Sequence, residues 1–304
     1  MEDLAHLETE QRNPRTMDLD TLPPPALVAV LHAESRAAFD AVEAILPSIA
    51  QVVEVIAQRL SQGGRLFYVG AGTSGRLGVL DASECPPTFG VPADTVQGII
   101  AGGHVALTTS IEGAEDRPES GAADLHARHV TAADVVVGIA ASGRTPYVIG
   151  AMQAAREIGA FTVGVVNVTQ PALASCADIV LSAVTGPEAL TGSTRLKAGT
   201  AQKLILNLLT TAAMVRMGKV YSNLMVDVQA TNTKLRDRAA RIVMAATGVD
   251  RGAAEAALNR AGGHCKVAIV MLALGVSAEE AAYRLQVTGG WVRAALASCS
   301  NSSA

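Results

Sequence analysis

Five apolar stretches, 65–70, 95–101, 134–140, 161–167 and 179–184, alternate with segments of helical spacing, and this alternation constrains the fold more than any other feature. A strand without a polar face must be covered on both sides. Helices placed between successive strands supply that cover, and such connections make neighbouring strands parallel. The expectation is an α/β protein built on a doubly wound parallel sheet of five strands, flavodoxin-like, with ligands at the carboxyl ends of the strands. Hydrophobic residues make up 49% of the chain but aromatics only 3%, so Ala, Val, Leu, Ile and Gly must build the core.

A length of 304 residues fits one large domain and a smaller appendage. Residues 1–51 read as an N-terminal arm and helix. The arm is polar and extended as far as Pro23-Pro-Pro25, and helical spacing then runs from about Ala26 to Gln62, as in Val42, Ile45, Ile49, Val52, Val53 and Ile56. Residues 52–217 hold the sheet, 218–239 a connecting helix, and 240–298 a small all-helical domain punctuated by Gly248, Gly262-Gly263, Gly275 and Gly289-Gly290. The segment Ala201–Val215 is apolar nearly all round, which places it in the core or at a subunit interface.

Two of the strands run into loops rich in glycine and hydroxyls. One reads Gly70-Ala-Gly-Thr-Ser-Gly-Arg76, the other Gly138-Ile-Ala-Ala-Ser-Gly-Arg-Thr-Pro-Tyr147. A strand that turns on glycine into a helix offers unpaired N–H groups and the positive end of the helix dipole to an anion, phosphate above all. Gly72, Thr73, Ser74, Ser142, Gly143 and Thr145 are therefore candidates to hold a phosphorylated small molecule, with Arg76 and Arg144 supplying positive charge. The first loop matches G-x-G-x-x-G, but the strand Thr95-Val-Gln-Gly-Ile-Ile-Ala101 lacks the acid that a dinucleotide's ribose requires. No G-x-x-x-x-G-K-[ST] occurs either, so a phosphosugar fits better than a nucleotide.

A net charge of −4 without a basic stripe argues against nucleic acid as a partner, and no apolar run approaches a membrane span. A cytoplasmic protein is expected. Cys85, Cys176, Cys265 and Cys299 lie 34 to 91 residues apart with no C-x-x-C, so neither zinc nor a disulfide framework is indicated. His126-Ala-Arg-His129 reads as a solvated helix face rather than a metal pair, and no metal is expected.

Acid–base chemistry has two candidates. Glu84 lies in Asp81-Ala-Ser-Glu-Cys-Pro-Pro-Thr88, where Pro86 is expected to end the helix opened by the first loop, leaving Glu84 in its last turn. A carboxylate facing the negative end of a helix dipole holds its proton more readily, which suits a general acid. Glu115, in Glu112-Gly-Ala-Glu-Asp116 beyond the second strand, could reach the same cleft as a general base.

Long stretches of the chain resemble the N-acetylmuramic acid 6-phosphate etherase family. They include Gly70-Ala-Gly-Thr-Ser-Gly-Arg-Leu-Gly78, Asp81-Ala-Ser-Glu-Cys-Pro-Pro-Thr-Phe-Gly90, Glu112-Gly-Ala-Glu-Asp116 and Ala141-Ser-Gly-Arg-Thr-Pro-Tyr147. Leu190-Thr-Gly-Ser-Thr-Arg-Leu-Lys-Ala-Gly-Thr-Ala-Gln-Lys203, Asn223-Leu-Met-Val-Asp227 and the opening Leu7-Glu-Thr-Glu-Gln-Arg-Asn-Pro-Arg-Thr16 extend the likeness. The resemblance implies a sugar-isomerase-type domain, a homodimer and a cofactor-free lyase of cell-wall amino-sugar recycling. It implies that Glu84 is the proton donor and Glu115 the other acid/base residue. Ser193 and Lys197, in the loop before the long helix, are further substrate candidates. Glu10, Arg12 and Asn13 are candidates to close over a site in the same chain or a partner's. Rival readings are a phosphosugar aldose–ketose isomerase, which would release no lactate, and a non-catalytic sensor like the glucokinase regulatory protein, which usually carries two such domains.

Overall fold

The computed structural model describes residues 7–229 and 233–297. The chain forms two compact units, one comprising residues up to Ser83 with Asp94–Thr210, the other Glu84–Ala93 with Thr211 onward.

The first unit is built on five parallel strands: β1 (Leu66–Gly70), β2 (Val96–Ile100), β3 (Val135–Ile139), β4 (Phe161–Val166) and β5 (Ile179–Ser182), in the order β2-β1-β3-β4-β5. This is the doubly wound order with its reversal at β1 and β3, where a ligand crevice forms. Every residue of β1 and β3 is buried, as a sheet covered on both faces requires. One face carries Phe67, Val69 and Val136 against Val148, Ala151 and Met152 of α5 (Pro146–Ile158), and each Phe, Val or Met side chain buried in this way is worth about 1.5–3 kcal/mol.

Helical spacing before the sheet resolves into two helices, α1 (Pro24–Glu43) and α2 (Leu46–Ser61). Pro47 in the first turn of α2 accounts for the break, since it has no N–H for the carbonyl four residues back and crowds it. The arm before α1 is not simply extended. It makes two 3₁₀ turns, Pro14–Thr16 and Leu19–Thr21, and is stitched to the unit by Thr16 Oγ1 donating to Ala189 O at 2.8 Å and Asn13 Nδ2 to Pro187 O at 3.2 Å.

α3 (Gly72–Phe89) begins at the end of β1 and runs through Pro86 and Pro87, four residues further than the prolines suggested. Their rings fix φ near the helical value, so they cost two hydrogen bonds without forcing an end. Glu84 is consequently not in the last turn, and the helix-end argument for its acidity falls. α6 (Lys197–Arg216) is pinned to α3 and β1 through buried Asp81, which accepts from Lys203 Nζ at 3.0 Å, Thr210 Oγ1 at 2.9 Å and Tyr68 OH at 3.2 Å. Between β2 and α5 lies α4 (Pro118–Ala127).

In the second unit, α7 (Thr233–Thr247), α8 (Arg251–Arg260), α9 (Cys265–Leu274), α10 (Ala278–Val287) and α11 (Val292–Ala297) enclose a core of Val243, Ala257, Ala268, Ile269, Val270 and Ala295. No helix spans 218–229. Gly218, with φ of +71°, ends α6 in a left-handed cap, and a Tyr221–Leu224 bridge and turns follow. The connecting helix expected over 218–239 therefore begins only at Thr233. Cys299 and the end of the C-terminal segment lie outside the described residues.

Candidate active site

The two glycine loops stand on adjacent strands, Gly70 being paired with Ile139. Their glycines answer to backbone demands. Gly70 and Gly75 approach so closely that a Cβ on Gly70 would lie 2.6 Å from the Gly75 nitrogen. Gly143 has φ of +64°, and a Cβ there would meet Pro171 Cβ at 2.3 Å. Both loops therefore present bare backbone at the start of α3 and α5, as an anion site needs.

Each hydroxyl has its own setting. Ser74 Oγ donates to Gln202 Oε1 at 2.8 Å. Ser142 Oγ accepts from Arg144 N at 3.3 Å, and the hydroxyl of Thr145, the cap residue of α5, makes no cap bond. The first turn of α6 joins this edge, because Gly199 faces the Thr73 methyl: a Cβ there would lie 3.4 Å from Thr73 Cγ2. Ser193 lies half-buried in the turn leading to α6, its N–H donating to Leu190 O at 2.9 Å.

Glu115 is exposed in the loop between β2 and α4 and is brought to both glycine loops. Its carbonyl accepts from Tyr147 N at 3.0 Å, in the first turn of α5. Its loop also lines a cavity of about 240 Å³ together with Gly72 and Arg76. Arg76 is spent in part on structure, donating from Nε to Leu107 O at 3.1 Å and from Nη2 to Thr109 O at 3.3 Å. It thereby holds the segment that leads to Glu115. Glu84 does not line this cavity; it lies exposed on the part of α3 belonging to the second unit.

Lys197 does not stand at the surface of its helix. It is 2% exposed, and its Nζ donates to Glu34 Oε2 at 3.0 Å. Glu34, on α1, also accepts from Asn13 Nδ2 at 2.6 Å and from Arg15 Nε at 2.5 Å. Hydrogen bonding from Arg15 leads, opposed by burial and reinforced by Lys197 and Asn13, in holding the Glu34 carboxyl at about 2. Buried Glu188 accepts from the N–H groups of Lys197 and Ala198 at 3.0 and 2.9 Å, capping α6 with a negative charge where the dipole favours one. Asn13 and Lys197 thus fix the arm and the α6 loop in place through Glu34. Glu10, by contrast, reaches the loop before α6, 3.6 Å from where a Gly192 Cβ would stand.

Two residues with a part in this edge had not been singled out. Gln202 and Asn167 are 1% and 0% exposed and form the inner wall behind Ser74. Asn167 follows β4 at the carboxyl edge, where polar residues next to a ligand are expected, and Gln202 stands five residues into α6.

Residues 48–156 match the glucokinase regulatory protein N-terminal SIS domain, and residues 115–212 match the SIS domain. A protein from Mycolicibacterium smegmatis named N-acetylmuramic acid 6-phosphate etherase is 56% identical over 97% of this chain and 99% of its own length. One from Serratia proteamaculans with the same name is 57% identical over 96% of this chain and 99% of its own. A solved phosphoheptose isomerase from Francisella tularensis superposes with a TM-score of 0.50 at 19% identity, covering 63% of this chain and 97% of that one, a likeness of fold.

Proposed function

The chain belongs to the N-acetylmuramic acid 6-phosphate etherase family, and from that membership we propose how its residues carry out the reaction. The enzyme cleaves the D-lactyl ether of N-acetylmuramic acid 6-phosphate with water, giving N-acetylglucosamine 6-phosphate and D-lactate. The observation that carries this reading is 56% identity extending over 97% of the chain. The presence of both glycine loops and Glu115 on one sheet edge supports it.

An ether oxygen leaves poorly, so the reaction needs an acidified neighbour. Opening the sugar exposes a C1 aldehyde, which acidifies the proton on C2. Glu115 takes that proton while Glu84 gives one to the oxygen leaving C3, and lactate departs from an unsaturated aldehyde. Water then adds at C3, its proton returning to C2 and its hydroxyl staying on C3. Nothing is oxidised or reduced overall, and the chemistry calls for no cofactor. Each proton transfer is typically worth about 10²–10⁴ in rate.

Gly72, Thr73, Ser74, Ser142, Gly143, Thr145 and Ser193 hold the phosphosugar, so that binding through an unreactive phosphate positions C2 and C3. Lys197 serves through the Glu34 cluster, by fixing the loop that carries Ser193. The enzyme acts in the cytoplasm, in recycling of cell-wall amino sugars, as a homodimer. Exposed apolar side chains on α1, Val28 at 64% and Phe39 at 60%, and Leu208 at 37% on α6 support an association of that kind.

The test is direct. Purified protein incubated with N-acetylmuramic acid 6-phosphate should release D-lactate and N-acetylglucosamine 6-phosphate in equal amounts. An interconversion of sugar phosphates without lactate would instead identify an isomerase.

A further inference from the structure

The two glycine loops carry serines in matching places, yet their protons point in different directions. Asn167 Nδ2 donates to Ala183 O at 2.9 Å. A backbone carbonyl can only accept, so Asn167 must turn its NH₂ that way and its Oδ1 toward Gln202. Gln202 Nε2 donates to that oxygen at 3.0 Å, which leaves Gln202 Oε1 facing Ser74 Oγ at 2.8 Å. Reversing either amide would set two oxygens against each other in a site with no exposure to water, a costly arrangement. The chain of bonds is therefore polarised from one end, and its last member, Ser74, must give its proton inward. Ser142 is the reverse: its oxygen accepts from Arg144 N, and its own proton is not engaged by the protein among the described residues.

We propose that Gln202 is a positioning residue that, with Asn167, makes Ser74 a hydrogen-bond acceptor for a sugar hydroxyl or amide N–H, and so leaves the phosphate dianion to the Ser142–Thr145 loop. This deepens the reading of the site as a phosphosugar site and rests on it. Ser74 is half-buried with its lone pairs directed away from Gln202, and a dianionic phosphate has no proton to offer them. Ser142 and Thr145 stand at the start of α5 with donors available and the dipole behind them.

Calorimetric binding of two probes, inorganic phosphate and N-acetylglucosamine 6-phosphate, separates the two serines. Ser74→Ala should weaken the sugar phosphate about tenfold and inorganic phosphate less than about twofold, whereas Ser142→Ala should weaken both about tenfold. Gln202→Leu should resemble Ser74→Ala in raising KM with a much smaller change in kcat, while its Tm reports any loss of packing. Gln202→Glu supplies a readout that packing alone would not move. Its second carboxylate oxygen would face Asn167 Oδ1 unless protonated, so its sugar-phosphate affinity should improve as pH falls, a trend absent from the unaltered protein. Equal weakening of inorganic phosphate by Ser74→Ala and Ser142→Ala would overturn the proposal, as would a flat pH response of Gln202→Glu. Absence of sugar-phosphate binding by the unaltered protein would refute the functional reading itself and the inference with it.

Discussion

Removing the Glu34 carboxylate tests the electrostatic account of the arm. Glu34 is 7% exposed and gathers Asn13, Arg15 and Lys197. Its carboxyl titrates at about 2 against an ordinary 4.5, with Arg15 the leading cause. A fall of about 2.5 pH units corresponds to about 3.4 kcal/mol. Arg15 is 64% exposed and therefore screened by water and salt, which brings the working figure to about 2–3 kcal/mol. Glu34→Ala also strands the buried Lys197 ammonium, and loss of one partner from a buried pair costs roughly 3–5 kcal/mol. A net loss near 3 kcal/mol should lower the melting temperature of the first unit by about 6–12 °C. Because the folded value lies below the unfolded one, this stabilisation is complete above about pH 5 and is lost as pH falls from 4.5 toward 2. Thermal melts of the parent and Glu34→Ala between pH 7 and 3 should draw closer as pH falls below 4.5. The double variant Glu34→Leu with Lys197→Met removes both charges, and should be more stable than Glu34→Ala alone. A single variant melting within about 2 °C of the parent at pH 7 would refute the reasoning.

Three further outcomes are expected. Glu115→Ala and Glu84→Ala should each cut D-lactate release by about 10²–10⁴ while N-acetylglucosamine 6-phosphate still binds, as steady-state rates and calorimetry would reveal; normal turnover removes the residue from its role. Gly143→Ala places a Cβ 2.3 Å from Pro171 Cβ at φ of +64°, so ligand affinity should fall at least about tenfold, whereas Gly103→Ala, at similar φ with no atom within 4 Å, should leave affinity unchanged. In the second unit, Lys266 is pushed below its ordinary value by burial, and Asp227 Oδ2 accepts from its Nζ at 2.6 Å. Asp227→Ala should destabilise that unit at neutral pH, and denaturant melts should show the deficit shrinking as alkali removes the stranded lysine proton.

What could be read from the chain follows physical locality. The five strands were legible because burial on both faces leaves an apolar signature within six or seven residues, and their bounds in the structure fall inside the stretches read. The glycine loops were legible for the same reason: Gly70 and Gly75, five residues apart, answer to each other. Pro86 misled because a proline's missing N–H argues for a helix end only when no packing repays the lost bonds, and α3 continues to Phe89. The ion pair that buries Lys197, a substrate candidate by its place in the loop, was not legible, because its partner Glu34 stands 163 residues earlier on a helix whose contacts no local pattern announces.

Ser74 shows the same limit at atomic scale. Its hydroxyl could be assigned to a phosphosugar from its place after a strand, but not the direction of its proton. That direction is decided at Ala183, more than a hundred residues away, through two amide side chains on β4's exit and α6. A carbonyl that can only accept transmits its constraint because each amide has one donating and one accepting end and no water intervenes to scramble them. The residue type that a site needs is thus a local property of the chain, whereas the polarity with which that residue meets a ligand belongs to the sheet edge as a whole.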